Sequence, residues 1–243
     1  MLRWIWTVVC VAACLFLVTR AHAMAAREEG DAMLKRAFDT MALPELESAL
    51  RLARAEAATA DPDGTGHHHL ARALEAMAIY HANRDEQDAA AGLLQQGVAA
   101  VTVAIERAPA SSPYQTTLGE LYGQLAAYSG VVGRIRYGRL ATTAYARALE
   151  LDPRNPTAHV GVGIGKLETP AMFGGSMQDA LREFRLAREL DADCEEAWIW
   201  EGIAQRRQGD TTAARAALQQ ALRVNPNSDH AKRELARLEE DFR

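Results

Sequence analysis

The stretch "DPDGTGHHH", Asp61 to His69, carries the densest set of metal-ligating side chain types in the sequence. Asp61 and Asp63 open like a calcium loop, but that loop requires a bidentate Glu where Arg72 stands. His67, His68 and His69 are consecutive, so on a helix they point in different directions and do not form a tetrahedral set by themselves. The stretch is read as a polar linker. "GVGIGK", Gly161 to Lys166, would cradle a phosphate only with Gly at Val160 and Ser or Thr at Leu167. Both conditions fail, and helix packing is assigned instead. Arg134, Arg136 and Arg139 stand at helical spacing near a helix start, where they form either a solvated basic face or a site for a carboxylate or phosphate. Carboxylates are numerous, but in "ALREFRLAREL" and "AKRELARLEEDF" they interleave with Arg as exposed helix faces do. No nucleophile is flanked by an identifiable base and orienter. The reading therefore assigns no catalytic residue, no metal and no cofactor, and favours a binding protein over an enzyme.

The elements that would position any site are helices. Of the 243 residues 49% are hydrophobic but only 6% aromatic, and Ala recurs throughout, which favours helix over strand in building a core. An all-α fold follows. Arg3 and the apolar run Trp4 to Val18 precede Ala21-His22-Ala23, the small-x-small pattern of a signal peptidase site, so residues 1–23 read as a signal peptide and the mature chain as a single domain over 24–243. The run is short for a membrane span, and no transmembrane span is read in the mature chain. The alternative is a lipoprotein anchored through Cys14; the apolar run continues past that residue, which favours cleavage after Ala23 and an exported, periplasmic protein. Cleavage leaves Cys194 as the one thiol, read as a small buried hydrophobe. Two of the 27 Lys and Arg, Arg3 and Arg20, leave with the leader, and 25 against 32 Asp and Glu gives a net charge of −7. That balance argues against nucleic acid as a partner, because the acidic excess opposes the neutralisation of phosphates.

One pattern returns along the mature chain. Ala214, Leu218, Ala221 and Pro226 stand at steps of four, three and five; so do Ala141, Tyr145, Ala148 and Pro153, and Gly97, Val101, Ala104 and Pro109, and in Ala180, Phe184, Ala187 and Ala192 the Pro is lost. Steps of four and three share one helix face, and the Pro stops the helix. Upstream of three of them a second helix carries Leu118-Gly119 with Tyr122, Val162-Gly163, or Trp198 with Gly202, where Gly lets one helix backbone lie close to its neighbour. These motifs resemble the tetratricopeptide repeat (TPR) family, whose units carry W-x2-L-G-x2-Y, then A-x3-F, A and P. The match is best over Cys194 to Ser228, with Glu201 and Gln205 as the main departures. The stop positions lie 44, 39 and 34 residues apart, so two units carry insertions of ten and five. The longer lies between Tyr128 and Tyr145. The shorter contains "TPAMFGG": Thr169-Pro170 ends a helix, Gly174-Gly175 permits reversal, Ser176 caps the next helix, and Met172 and Phe173 need something to cover them.

The resemblance implies a right-handed α-solenoid of helix pairs over 25–60, 67–110, 112–155, 156–193 and 194–227, closed by a capping helix over 228–242. It also implies that first helices line a concave groove. On that geometry the lining includes Leu74 and Ala78; Thr116, Thr117 and Glu120; Val160, Ile164 and Leu167; and Ile199, Trp200, Ile203 and Arg207. Its last two units would present a mostly apolar stripe, with Trp198 packed into the partner helix. The Lys- and Asn-rich clamp by which some family members grip a C-terminal carboxylate is missing at these positions. The expected function is a scaffold that holds a peptide or protein partner in the groove of an envelope or transport-associated complex; the alternative is a carrier enclosing a lipophilic small molecule.

Overall fold

Proline removes a backbone donor and clashes with the preceding turn, so it should mark the seams of a helical chain. In the computed structural model, which describes residues 28–59 and 61–241, all eight prolines lie between helices or in a helix's first turn. The expectations on the leader, Cys10, Cys14 and the cleavage site fall outside the described residues. Among the described residues there is no strand. The helices are α1 (28–40), α2 (Leu43–Ala57), α3 (Thr65–Ala82), α4 (Gln87–Arg107), α5 (Ser112–Ala127), α6 (Val131–Leu151), α7 (Pro156–Glu168), α8 (Met177–Leu190), α9 (Glu195–Gln208), α10 (Thr211–Val224) and α11 (Asp229–Glu240).

From α2 onward each helix packs on the next, and odd-numbered helices also touch: α3 with α5, α5 with α7, α7 with α9, and α9 with α11. Even-numbered helices do not touch one another among the described residues. The odd helices therefore form a close inner layer and the even ones a splayed outer layer, which is a solenoid curved around its odd helices.

The four-three pattern is the joint between the layers. Ala180, Phe184 and Ala187 of α8 are fully buried, as are Ala214, Leu218 and Ala221 of α10. The signature glycines do more than bring backbones together, as Gly202 does with its Cβ position 3.3 Å from the Ala214 carbonyl oxygen. A Cβ at Gly163 would lie 2.4 Å from the Phe184 ring, and one at Gly161 would lie 2.3 Å from the Tyr145 ring. Each glycine is a notch that receives an outer-helix side chain, which explains why small and large residues recur at matched positions.

Polar side chains fix the ends. Asn155, Ser176, Asp210 and Ser228 each accept a hydrogen bond from the N–H three residues on, capping α7, α8, α10 and α11. The Phe173-Gly174-Gly175 segment is a corner: α7 ends at Glu168, Gly174 turns the chain at φ +92°, and Ser176 starts α8. Met172 and Phe173 nevertheless remain exposed on it. The ten-residue insertion lengthens both helices of its unit, giving α5 16 and α6 21 residues against 14 each in α9 and α10. α4 is long and apolar enough to cross a membrane by composition alone; here it packs along α3 and α5, burying Leu94, Val101 and Ala104. α11 closes the C-terminal end, with Ala231 and Leu238 in one cluster with Ile199 and Ile203.

Candidate functional site

The inner face of the odd helices is polar at α3 and α5, and the apolar stripe expected in the last two units is largely withdrawn into the core. Four of the expected lining residues, Leu74, Val160, Ile199 and Ile203, are buried in core clusters, as is Ala78. For α3 the cause is register. Leu70-Ala71 occupies the place that Leu118-Gly119 holds in α5, and without a glycine to mark it the pattern points to Leu74 and Ala78, whereas His68, Arg72 and Glu75 face α5 across the floor. For α9 the cause is the end cap: Ile199 and Ile203 face where a further repeat would stack, and α11 fills that position.

Arg72 lies at the centre of the polar floor, bonded to Glu120 of the expected lining. Its guanidinium donates to Glu75 Oε2 at 2.7 Å and to Glu120 Oε2 at 2.8 Å, joining α3 to α5, and it stacks 4.6 Å from the Phe38 ring centroid. Gln124 donates its side-chain N–H to the other Glu75 oxygen at 2.5 Å, while its own Oε1 is buried without a partner. Tyr145 reaches this layer between α5 and α7 through the notches at Gly119 and Gly161. Across the groove, Glu196 of α9 acts electrostatically on Glu75, Glu120 and Tyr145, and it accepts the Trp200 indole N–H at 3.0 Å. The Trp200 ring meets His230 of α11 edge-on at 5.9 Å. The floor thus sets three carboxylates from three helices against one guanidinium and one imidazole, that of His230, whose Nδ1 lies 3.7 Å from Glu196 Oε1; burial opposes the charging of His230, but Glu196 raises its pKa above the usual value.

That imbalance shows in the protonation of Glu120. Burial raises its pKa, Arg72 opposes the rise, and Glu75 and Glu196 add to it, leaving Glu120 at about 7. Burial also pushes Glu75 up against the pull of Arg72, and drives His68 down to about 3 with help from Arg72 and His69. His68 is therefore a neutral imidazole, with Nε2 3.0 Å from Thr117 Oγ1 and its ring tilted 34° against Tyr114, the centroids 4.6 Å apart.

The remaining expected site residues divide between wall and surface. Thr117 is buried beneath His68, and Thr116 accepts from the Asn155 side chain. Ile164 and Leu167 are half-buried against the Phe184 cluster. Arg207 is exposed and held to Glu168 at 2.7 Å. Trp198 is half-buried, donating to the Ala192 carbonyl at 3.0 Å with Arg188 4.3 Å above its ring. The three histidines diverge as expected: His67 to Asp61, His68 to Thr117, and His69 to Glu56 and Asp31. Asp61 is an anchor for the start of α3. Burial opposes its ionisation, but bonds from the His67 ring and from the Gly66 and His67 N–H groups, with Arg107, hold its pKa below the usual value. Burial raises the Cys194 thiol to about 11, so it stays protonated.

The tetratricopeptide-repeat family profile matches residues 195–228, which are α9, α10 and the turn after them. The chain folds as a TPR-like solenoid. A thermophilic TPR protein of Thermus thermophilus superposes with a TM-score of 0.61 at 19% identity, over 87% of this chain and 99% of that one. A chain of the APC/C hetero-tetramer Cut9–Hcn1 gives 0.57 at 18% identity over 87% of this chain and 36% of that one. No curated protein sequence matches. These likenesses describe the fold alone.

The Glu120 shift makes a stability prediction for this solenoid. A carboxyl whose folded pKa lies above its unfolded value binds its proton more tightly when folded, so its contribution declines as pH rises from about 4.5 to about 7. Glu120→Gln should remove that decline and leave the protein about 1 to 2 kcal/mol more stable at pH 8 relative to wild type than at pH 4, after discounting for partial exposure. Chemical denaturation at both pH values measures the difference; an unchanged gap between the variants contradicts the assignment.

Proposed function

We propose that this TPR solenoid is a scaffold that holds an extended peptide segment of a protein partner along its inner groove, and that the segment presents Lys or Arg to the floor. The observation that carries the reading is that Glu75 and Glu120 share the one guanidinium of Arg72, while Glu196 faces them with only the His230 ring beside it. A partner cation supplies the missing charge in a site that already excludes much of the water, where a paired charge is worth more than on an open surface. Trp200 and His230 offer an aromatic wall at one end for an apolar neighbour of that cation. The same polar floor supports a peptide over the lipophilic cargo of the carrier reading, because lipid-like ligands favour predominantly apolar linings. Fluorescence anisotropy with extended Lys/Arg-rich and Glu-rich peptides of equal length tests the reading. The basic peptide should bind, weaken with salt and be lost in Glu120→Arg; equal binding of the acidic peptide would overturn it.

The leader pattern is what supports a scaffold outside the cytoplasm. Trp4 to Val18 followed by Ala21-His22-Ala23 supports export with a mature N-terminus at Met24, and by extension a partner in the cell envelope. Intact-mass analysis of exported protein should give a chain beginning at Met24. A diacylglycerol-modified Cys14 would replace this with the lipoprotein alternative.

A further inference from the structure

The two insertions place exposed apolar side chains on one edge of the solenoid. Val131, Val132 and Ile135 at the tip of α6, and Met172 and Phe173 in the corner after α7, are between 61 and 83% exposed. α6 and α7 are antiparallel neighbours, and a Cβ at Gly165 would lie 3.7 Å from Thr142 Oγ1. From that crossing α6 runs back eleven residues to Val131 while α7 runs out to the Met172-Phe173 corner, so both reach the same edge. The eleven residues span about 16 Å, which makes the α6 tip a projection.

Charge accompanies the apolar crest. At 100° per residue Val131, Val132 and Ile135 share one face of α6, Arg134 and Arg136 flank it, and Arg139 stands one turn beyond Ile135. None of these three arginines is ion-paired among the described residues; Arg136 only lies over the Tyr137 ring. No Asp or Glu occurs between Glu120 and Glu150, in a chain with a net charge of −5. Arginines keep their stems along apolar surface and their heads at its rim, which is the arrangement of a helix that enters a lipid headgroup region. A protein partner would need about 800 Å² of complementary surface on this side, whereas two projecting turns and a three-residue corner make a wedge.

We propose that this edge docks on an anionic bilayer, with Val131, Val132, Ile135, Met172 and Phe173 entering the headgroup boundary and Arg134, Arg136 and Arg139 meeting lipid phosphates. The groove floor belongs to the inner faces of the odd helices, so docking at this edge leaves it free for a peptide.

Cosedimentation of the full chain with vesicles tests the proposal. One set is phosphatidylcholine alone, and the other is two parts phosphatidylcholine to one part phosphatidylglycerol. The apolar run Trp4 to Val18 gives a background that does not depend on lipid charge, so the readout is the gain on anionic vesicles. That gain should fall about a hundredfold in R134E/R136E/R139E, since each cation near such a surface contributes about a factor of five. It should fall at least tenfold in Val132→Asp/Phe173→Asp. Both variants alter exposed residues and should keep the wild-type circular dichroism melt and the basic-peptide affinity. Equal binding to the two vesicle types, or variants that bind as wild type does, would overturn the proposal. So would release by inorganic phosphate beyond that caused by sodium chloride at equal ionic strength, which would assign a free-anion site. A dimer in sedimentation equilibrium that Val132→Asp dissociates would assign the edge to a second copy of this chain.

Discussion

Replacing Phe184 by Ala should lower the unfolding free energy by about 3 to 5 kcal/mol. The Phe184 ring is fully buried, seated in the Gly163 notch, and it belongs to the cluster that joins α7 and α8 to α9 through Ala197 and Ala204. Truncation removes the ring's transfer free energy and leaves a cavity that the notch cannot close, because α7 has no side chain there to move in. The neighbouring repeats should loosen together, since each repeat is stabilised by its interfaces. Chemical denaturation gives the number, and a loss below about 1 kcal/mol would mean that the ring does not fill this joint.

Phe184 also illustrates what the sequence makes legible. A four-three step with a stop signal describes one face of one helix, and the burial of that face depends only on local periodicity and on a partner being present. The same holds for Leu218 and for Tyr145, and for the corner at Gly174, where a positive φ favours glycine. The groove floor is different in kind. Arg72 and Glu75 sit in a helix whose register marker is Ala71, which resembles every other Ala in the chain. The influence of Glu196 on Glu120 depends on how far the solenoid has curled between α5 and α9, a sum of small rotations that no local motif records. Ile199 and Ile203 were misplaced because the pattern of an internal repeat was applied to a terminal one, where α11 stands in for the next unit.

Trp200→Ala should weaken peptide binding by about 2 kcal/mol or more while the fold survives, as removal of an aromatic anchor does. The indole is half-buried between the last two clusters, donates to Glu196 and faces His230, so it shapes the groove end without filling the centre of either cluster. Trp198→Ala should act the other way. Its indole bonds the Ala192 carbonyl and stacks under Arg188, tying α9 to the end of α8, and its loss should lower the melting temperature of the last repeat. Circular dichroism melts and anisotropy titrations on both variants separate the two roles. Equal destabilisation with no distinct binding defect would remove Trp200 from the site.

The claim that the partner lies in the inner groove can be tested by zero-length coupling of a bound Lys-bearing peptide with a carbodiimide, followed by mass spectrometry. Carboxylates occur on both faces: Glu120 and Glu196 inside, and Glu106, Glu150 and Glu189 exposed on the outer helices α4, α6 and α8. The account predicts crosslinks to Glu120 and Glu196 that disappear with unlabelled competitor. Competitor-sensitive crosslinks confined to Glu106, Glu150 or Glu189 would contradict it.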